Sequence, residues 1–288
     1  LQDGSVKLCG RLPSADPRGC SLSVEEVDKH FTQTTTVPFP PKATLRYSMK
    51  HSNTSLAKKV YASLQTLSNI DPSDLSQGLS AENAHLCWQN SIKQISLSGL
   101  QQTLSTSDIR PKQISIVAAQ GVFTASLEWI ALSLASGASV HVKAPKASPA
   151  AINVICQHFS NAGFDITTSS ERELPTSELI YAFGTDASIE AIRKSNPRSI
   201  VRGYGHRFSV VLCQPSREAA LAIATDIVAY DGRGCMAPAA IFCLGDAKSF
   251  TEQLSNALAE WQQRAPVGVI DPYLGPEIRR QIGLARTR

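Results

Sequence analysis

The sequence predicts an α/β protein with a parallel, doubly wound sheet preceded by a helical region. Two observations carry this. From residue 113 onward, short β-branched apolar runs alternate with segments of helical period. Gly137 and Pro149 stand where such a helix should stop and the next should start, since glycine suits the position past a helix end and proline the first turn. A third observation bounds the class. Hydrophobic residues make up 42% and charged residues 18% of the 288, the balance of a chain that buries a core.

Taken in order, residues 1–45 are polar and carry Pro38, Pro40 and Pro41, which reads as an irregular arm. Residues 54–106 are expected to be helical: Leu56, Val60, Leu64 and Leu67 recur at helical spacing, and a second run spans 86–104. Strands are then expected at 114–118, 139–143, 179–183, 208–212 and 239–244. Helices are expected at 123–134, 149–159, 185–194, 216–230 and 249–261. Short strands alternating with such helices imply βαβ units, with a ligand at the carboxyl ends of the strands. The chain divides into the arm at 1–45, a helical region with a nucleotide-binding α/β domain at 46–232, and the start of a further domain at 233–288.

Lys and Arg number 28 against 24 Asp and Glu, a net charge of +4 that is too mild to argue for nucleic acid as a partner. No apolar run approaches the roughly 18 residues of a membrane span, and the start at Leu1 lacks the build of a signal peptide. The seven cysteines are scattered and form no CxxC pair, which argues against a disulfide framework or a metal site and for a cytoplasmic setting.

Cys235 stands out on physical grounds. It follows Asp231-Gly-Arg-Gly, where the glycines break a helix and place the thiol in a tight turn. Exposed amides and the neighbouring Arg233 would favour its thiolate, the nucleophilic form. The alternative is a buried, inert thiol, the commoner fate of cysteine.

Four stretches resemble the aldehyde dehydrogenase superfamily, and within it the acyl-CoA reductases of the bacterial luminescence type. The segment from Ser133 to Pro149, SLASGASVHVKAPKASP, resembles the superfamily's helix–strand segment ending in K-P-S-E-x-x-P. Ala182-Phe-Gly-Thr-Asp resembles its F-T-G-S turn, and Arg202-Gly-Tyr-Gly-His-Arg-Phe-Ser-Val-Val its E-L-G-G-K-S-P segment. Asp231-Gly-Arg-Gly-Cys-Met-Ala-Pro resembles the nucleophile segment, in the Asp…Cys-x-x-Pro form that ends here at Pro238. The likeness covers residues 113–245; residues 1–112 match only in helical character.

The resemblance implies a Rossmann-like cofactor domain and an incomplete catalytic domain, since only 53 residues follow Cys235. It implies that Lys143 contacts the adenosine ribose. Lys146 stands where NAD-preferring members often carry glutamate, so it is either a partner for the 2′-phosphate of NADPH or a solvated lysine; NAD stays possible. Gly184 and Thr185 match the turn that opens a helix at the pyrophosphate. Gly203 and Gly205 match the loop near the nicotinamide. Three departures bear on chemistry. Arg202 replaces the glutamate that activates water, which argues against acid formation. No asparagine stands at Gln120-Gly121, so Gln120 is either the oxyanion donor or a polar strand end. His206 is either a proton donor to the product or a loop histidine.

The implied activity is NAD(P)H-dependent reduction of an acyl-CoA thioester to a fatty aldehyde through an acyl-Cys235 enzyme, with no metal. Two alternatives stay open. One is an acyl-phosphate reductase that forms a semialdehyde, with Arg202 or Arg207 binding phosphate. The other is a non-catalytic nucleotide-binding or interaction remnant. At the C-terminal end Ile241, Phe242, Leu244, Leu254, Leu258 and Trp261 are expected to lack a partner, so self-association, as a homo-oligomer or with another protein, is expected there.

Overall fold

The computed structural model describes residues 6–10, 52–76, 78–107, 110–205 and 207–269. Strand β1 is Val6–Gly10. Three helices follow, α1 (Ser52–Leu67), α2 (Ala81–Gln94) and α3 (Leu97–Thr106). The run expected over 86–104 is thus two helices. Ser96 breaks it, because its side chain accepts from the Gly99 amide and caps α3.

The alternating region then runs β2 (Gln113–Val117), α4 (Leu127–Ala135), β3 (Ser139–Lys143), α5 (Ala150–Asn161), β4 (Ile166–Ser169), β5 (Leu179–Phe183), α6 (Asp186–Ser195) and β6 (Ile200–Tyr204). These five strands form one parallel sheet in the order β4-β3-β2-β5-β6. Gly137, at φ +84°, ends α4 as expected, with its amide bonded to the Leu134 carbonyl.

Successive residues of β5 face opposite sides of the sheet. Leu179 and Tyr181 pack in the large core with Ile130, Ile155 and Phe159. Ile180 and Ala182 pack instead with Ile189 of α6. Helices therefore cover both faces, and the expected doubly wound sheet is what the chain builds. The largest fully buried side chains include Trp88, Phe159, Leu64 and Ile116. They join α1, α2, α5 and β2 into one core, which anchors the helical region to the sheet.

The rest is a second sheet. Strand β7 (Phe208–Cys213) pairs in parallel with β8 (Pro238–Cys243) and antiparallel with β1. Helices α7 (Arg217–Val228) and α8 (Ala247–Arg264) pack on it. Two expectations change here. The arm at 1–45, read as irregular, contributes β1. Strand β7, expected to follow on within the α/β region, joins this second sheet, because it finds its hydrogen bonds with β8 and β1 and not with β6.

A third correction concerns the C-terminal apolar residues. Ile241, Leu254, Leu258 and Trp261 pack on a small core of Val211, Ile223 and Phe250, so they do have partners. Only Phe242 and Leu244 of the six stand outward, at 57% and 52% exposure. Among the described residues no helix is long and apolar enough to cross a membrane.

Candidate active site

A cleft of about 2020 Å³ opens at the carboxyl ends of β2, β3 and β5 and reaches the turn before β8. Seven of the residues singled out from sequence line it: Gln120, Lys143, Lys146, Gly184, Thr185, Gly205 and Cys235. They come from five separate stretches of chain. His206 lies outside the described residues.

Each side chain has a local reason for its place. Lys143 ends β3, and its Nζ donates to the Arg172 carbonyl at 3.2 Å. Arg172 also lines the cleft, so Lys143, Lys146 and Arg172 bring three cations to one end of it. Arg172 was not foreseen; it stands between two strands where no motif marks it. Thr185 caps α6 by accepting from the Ser188 amide at 3.1 Å, and both residues line the cleft. That leaves the positive end of α6 facing the space. Asp186, in the first turn, does not line the cleft. Its carboxylate lies over Gly205, where a Cβ would come within 2.0 Å of Oδ1.

The two glycines of the β6 segment each have a packing reason as well. A Cβ on Gly203 would meet Ile189 Cγ2 at 2.5 Å, so glycine there lets α6 pack on β6. Gly203 is not among the cleft residues, whereas Gly205 is. Arg207 lines the cleft and Arg202 does not. Arg202 sits opposite Tyr181 in the β5–β6 register. Nearby, Phe183 and Tyr204 stack at 4.8 Å and Trp129 lies 5.0 Å from Tyr204, giving the cleft an aromatic edge. Burial pushes the Tyr204 hydroxyl up to about 12, with Tyr181 adding to the rise and Arg202 and Arg207 opposing it.

Cys235 stands in the turn ahead of β8 and is exposed. Two other thiols are not available in the same way. Burial raises Cys87 to about 11 and Cys156 to about 12, which keeps both protonated and poorly nucleophilic. Arg233, expected to favour the Cys235 thiolate, turns its guanidinium to the Gly78 carbonyl at 3.4 Å and to the Asp231 carboxylate at 3.7 Å. Gln120 is exposed at the end of the β2 segment, and Gly121 beside it has φ +94° with open space around its Cα. The side-chain amide is thus on an open rim of the cleft.

The path into the Cys235 turn is unusual. Tyr230 and Asp231 both have left-handed backbones, at φ 55° and 52°. For residues other than glycine this costs on the order of 1 kcal/mol each and persists only when surroundings enforce it. The surroundings are polar and specific. Asn83, fully buried on α2, donates from Nδ2 to the Val228 carbonyl at 3.0 Å and to Asp231 Oδ1 at 2.7 Å. The Tyr230 amide donates to Cys87 Sγ at 3.3 Å, and its hydroxyl bonds Ser91 Oγ at 2.8 Å and Thr124 Oγ1. None of these partners was foreseen from sequence.

Comparison with known proteins follows this geometry. Residues 166–285 match the family described as acyl-CoA reductase (LuxC). No curated protein matches the chain by sequence. Among solved structures, the chain is similar to an NAD-dependent benzaldehyde dehydrogenase from Corynebacterium glutamicum, with TM-score 0.61 and 18% identity over 82% of this chain and 61% of that one. It is similar to the aldehyde dehydrogenase KauB from Pseudomonas aeruginosa, with TM-score 0.57 and 13% identity over 74% of this chain and 51% of that one. It is also similar to a methylmalonate-semialdehyde dehydrogenase from Oceanimonas doudoroffii, with TM-score 0.56 and 12% identity over 76% and 51%. The fold is that of aldehyde dehydrogenases, and the chain spans about half to three fifths of the length of these relatives.

Proposed function

We propose that this chain, which has the aldehyde dehydrogenase fold and over residues 166–285 matches the acyl-CoA reductase (LuxC) family, reduces an acyl-CoA thioester to an aldehyde with Cys235 as the acyl acceptor. The observation that carries this is convergence: Gln120, Lys143, Lys146, Gly184, Thr185, Gly205 and Cys235 meet in one cleft.

The residues divide the work. The Cys235 thiolate attacks the thioester carbonyl, the carbon–sulfur bond to CoA breaks, and CoA leaves as its thiolate. The Gln120 amide and neighbouring main-chain N–H groups hold the oxyanion. A nicotinamide cofactor held by Lys143, Gly184 and Thr185 would supply a hydride to the acyl carbon, giving the aldehyde. Cys235 regains its thiolate when the bond to the acyl carbon breaks. The resemblance aligns Arg202 with the superfamily's water-activating glutamate; Arg202 lies outside the cleft, and a guanidinium cannot accept a proton. This supports release of an aldehyde over hydrolysis to an acid.

The donor set suits a phosphorylated dinucleotide. Thr185, Ser188 and the open end of α6 offer hydrogen bonds to a pyrophosphate. Lys143, Lys146 and Arg172 also line the cleft, and these cations, with Glu173 beside them, favour the extra phosphate of NADPH. The five described cysteines whose side chains are placed are free thiols, which goes with a reducing cytoplasmic setting.

Intact-mass spectrometry after mixing with decanoyl-CoA tests the reading. An acyl adduct should form on Cys235 with release of CoA, and Cys235→Ala should show neither. An adduct on another cysteine, or none, overturns the proposal. Thermal-shift titration addresses the cofactor: a nucleotide at a hundredfold excess over its dissociation constant adds about 2.7 kcal/mol. NADPH should outperform NADH, and Lys146→Glu should reverse the order.

A further inference from the structure

Four residues upstream of the proposed nucleophile, the chain holds a conformation that its own residues disfavour. Tyr230 and Asp231 are left-handed in succession. Glycine would adopt this freely, yet Gly232 and Gly234 stand beside the strained pair and not within it. Something outside the turn must fix it.

The fixing groups lie on one face of α2. Asn83, Cys87 and Ser91 follow one another at a spacing of four and so align along the helix. Asn83 uses its whole side chain. Its amide donates both N–H groups, to Val228 and to Asp231, while its oxygen accepts from the Cys87 thiol at 3.2 Å. Asp231 is equally engaged. Oδ1 takes the Asn83 bond, and Oδ2 takes the Gly268 amide at 3.2 Å and faces Arg233 at 3.7 Å. Ser91 and Thr124 fasten the Tyr230 hydroxyl. These bonds tie the region 228–231 to a helix about 145 residues away in sequence.

We propose that Asn83 is a positioning residue for Cys235, holding the nucleophile turn in its left-handed path through the Asp231 carboxylate. The catalytic consequence rests on Cys235 being the acyl acceptor; the clamp itself does not. Burial explains why an asparagine suits the place. A neutral amide can sit fully buried and still offer two donors and an acceptor, where a charged group would need a counter-charge. Released, the turn would relax toward ordinary backbone, and Cys235 would lose its orientation to the cleft.

Hydrogen exchange read by mass spectrometry tests the clamp without any substrate. In Asn83→Ala, exchange in the peptide covering residues 229–236 should rise roughly tenfold or more, the effect of losing a buried hydrogen bond to a charged group. Peptides from β2 and β5 should stay unchanged. Asn83→Asp should be at least as disruptive, because it sets a second carboxylate against that of Asp231 and loses both donors. Adding Asp231→Asn to it exchanges donor and acceptor, and should restore part of the protection that Asn83→Asp loses, the bond to the Val228 carbonyl staying broken. A side chain that only fills space would not show this rescue.

Two outcomes overturn the clamp: unchanged exchange at 229–236, or a rise spread evenly over the reference peptides. A second arm reads first-turnover CoA release from decanoyl-CoA. It should fall by roughly a hundredfold in Asn83→Ala, the scale for a misplaced reacting group. Alkylation of Cys235 by iodoacetamide, which needs no positioned partner, should stay near the wild-type rate. Exchange that rises with no fall in CoA release overturns the positioning role. A wild type that releases no CoA overturns the acyl-CoA reading, while the exchange data still decide the clamp.

Discussion

The two sheets of this chain solve the same packing problem to different extents. The five-stranded sheet is covered on both faces: α4, α5 and α1 on one side and α6 on the other. The three-stranded sheet is covered by α7 and α8 on one face, while Phe242 and Leu244 stand outward at its β8 edge. A sheet face with apolar side chains needs a layer against it. The first region meets that need within the described residues and the second does not. The cleft lies where they meet, so its cofactor side is built on the complete region and its nucleophile side on the partial one.

That contrast can be broken most strongly from the complete side. Phe159 is fully buried in the large core, stacking edge-on with Phe164. Phe159→Ala should cost about 3–5 kcal/mol, read as a lowered midpoint in chemical denaturation. Ile241 is half-buried on the smaller core, and Ile241→Ala should cost less than about 2 kcal/mol. Equal losses at the two positions would mean that the second core is as complete as the first.

A smaller effect tests the seam. At Gly268 the chain crosses the segment 78–79 so closely that a Cβ would fall within 1.9 Å of the Gly78 carbonyl oxygen. The Val269 amide bonds that same carbonyl at 2.8 Å, which fixes the crossing. Gly268→Ala must push two backbones apart and should cost about 1–3 kcal/mol. It should also loosen the Asp231 turn, since the Gly268 amide holds Asp231 Oδ2. A variant as stable as wild type would show that the crossing is not tight in solution.

Sequence and structure agree unevenly for reasons that sort by range. Strands β2 and β3 were legible because Ile114 and Ile116, and Val140 and Val142, are β-branched and bury together on one face of the sheet. Strands β4 and β6 were missed. Ile166–Ser169 holds two threonines and a serine, and Ile200–Tyr204 holds Arg202 and Gly203, so neither has an apolar run to announce it. The cleft residues were legible through motif order. Their partners were not, because the bond between Asn83 and Asp231 spans 148 positions and leaves no local pattern. The glycines show a subtler limit. Gly203 and Gly205 were marked only through the resemblance to a cofactor loop, whereas the close neighbours that demand glycine there, Ile189 and Asp186, leave no local pattern.

A pH dependence sharpens the comparison further. Burial in the large core raises the Cys156 thiol to about 12 from its ordinary value near 9. The folded chain therefore binds this proton more tightly than the unfolded one. The stability that follows is fully present below pH about 9 and is lost as pH climbs toward about 12. Cys87 adds the same sign, with its folded value near 11. The melting temperature should fall as pH rises from about 9 toward about 12, and the slope should be shallower in Cys156→Ala. An identical slope in the variant would remove Cys156 from the account.

The smallest effect on stability is expected on the open face. Phe242 is 57% exposed, so replacing it removes little packing, and Phe242→Ser should change stability by less than about 0.5 kcal/mol. Association is a different matter. Phe242 and Leu244 are two residues apart at the end of an edge strand, so they share one side of the sheet and add up to a single apolar patch. An uncovered patch beside free strand N–H and C=O groups favours self-pairing. Light scattering or sedimentation should therefore show less association in Phe242→Ser than in wild type, at equal melting temperature. Association unchanged by the substitution would place the sticky surface elsewhere; a large drop in melting temperature would mean that Phe242 is covered in solution and that the second region is more complete than its described residues show.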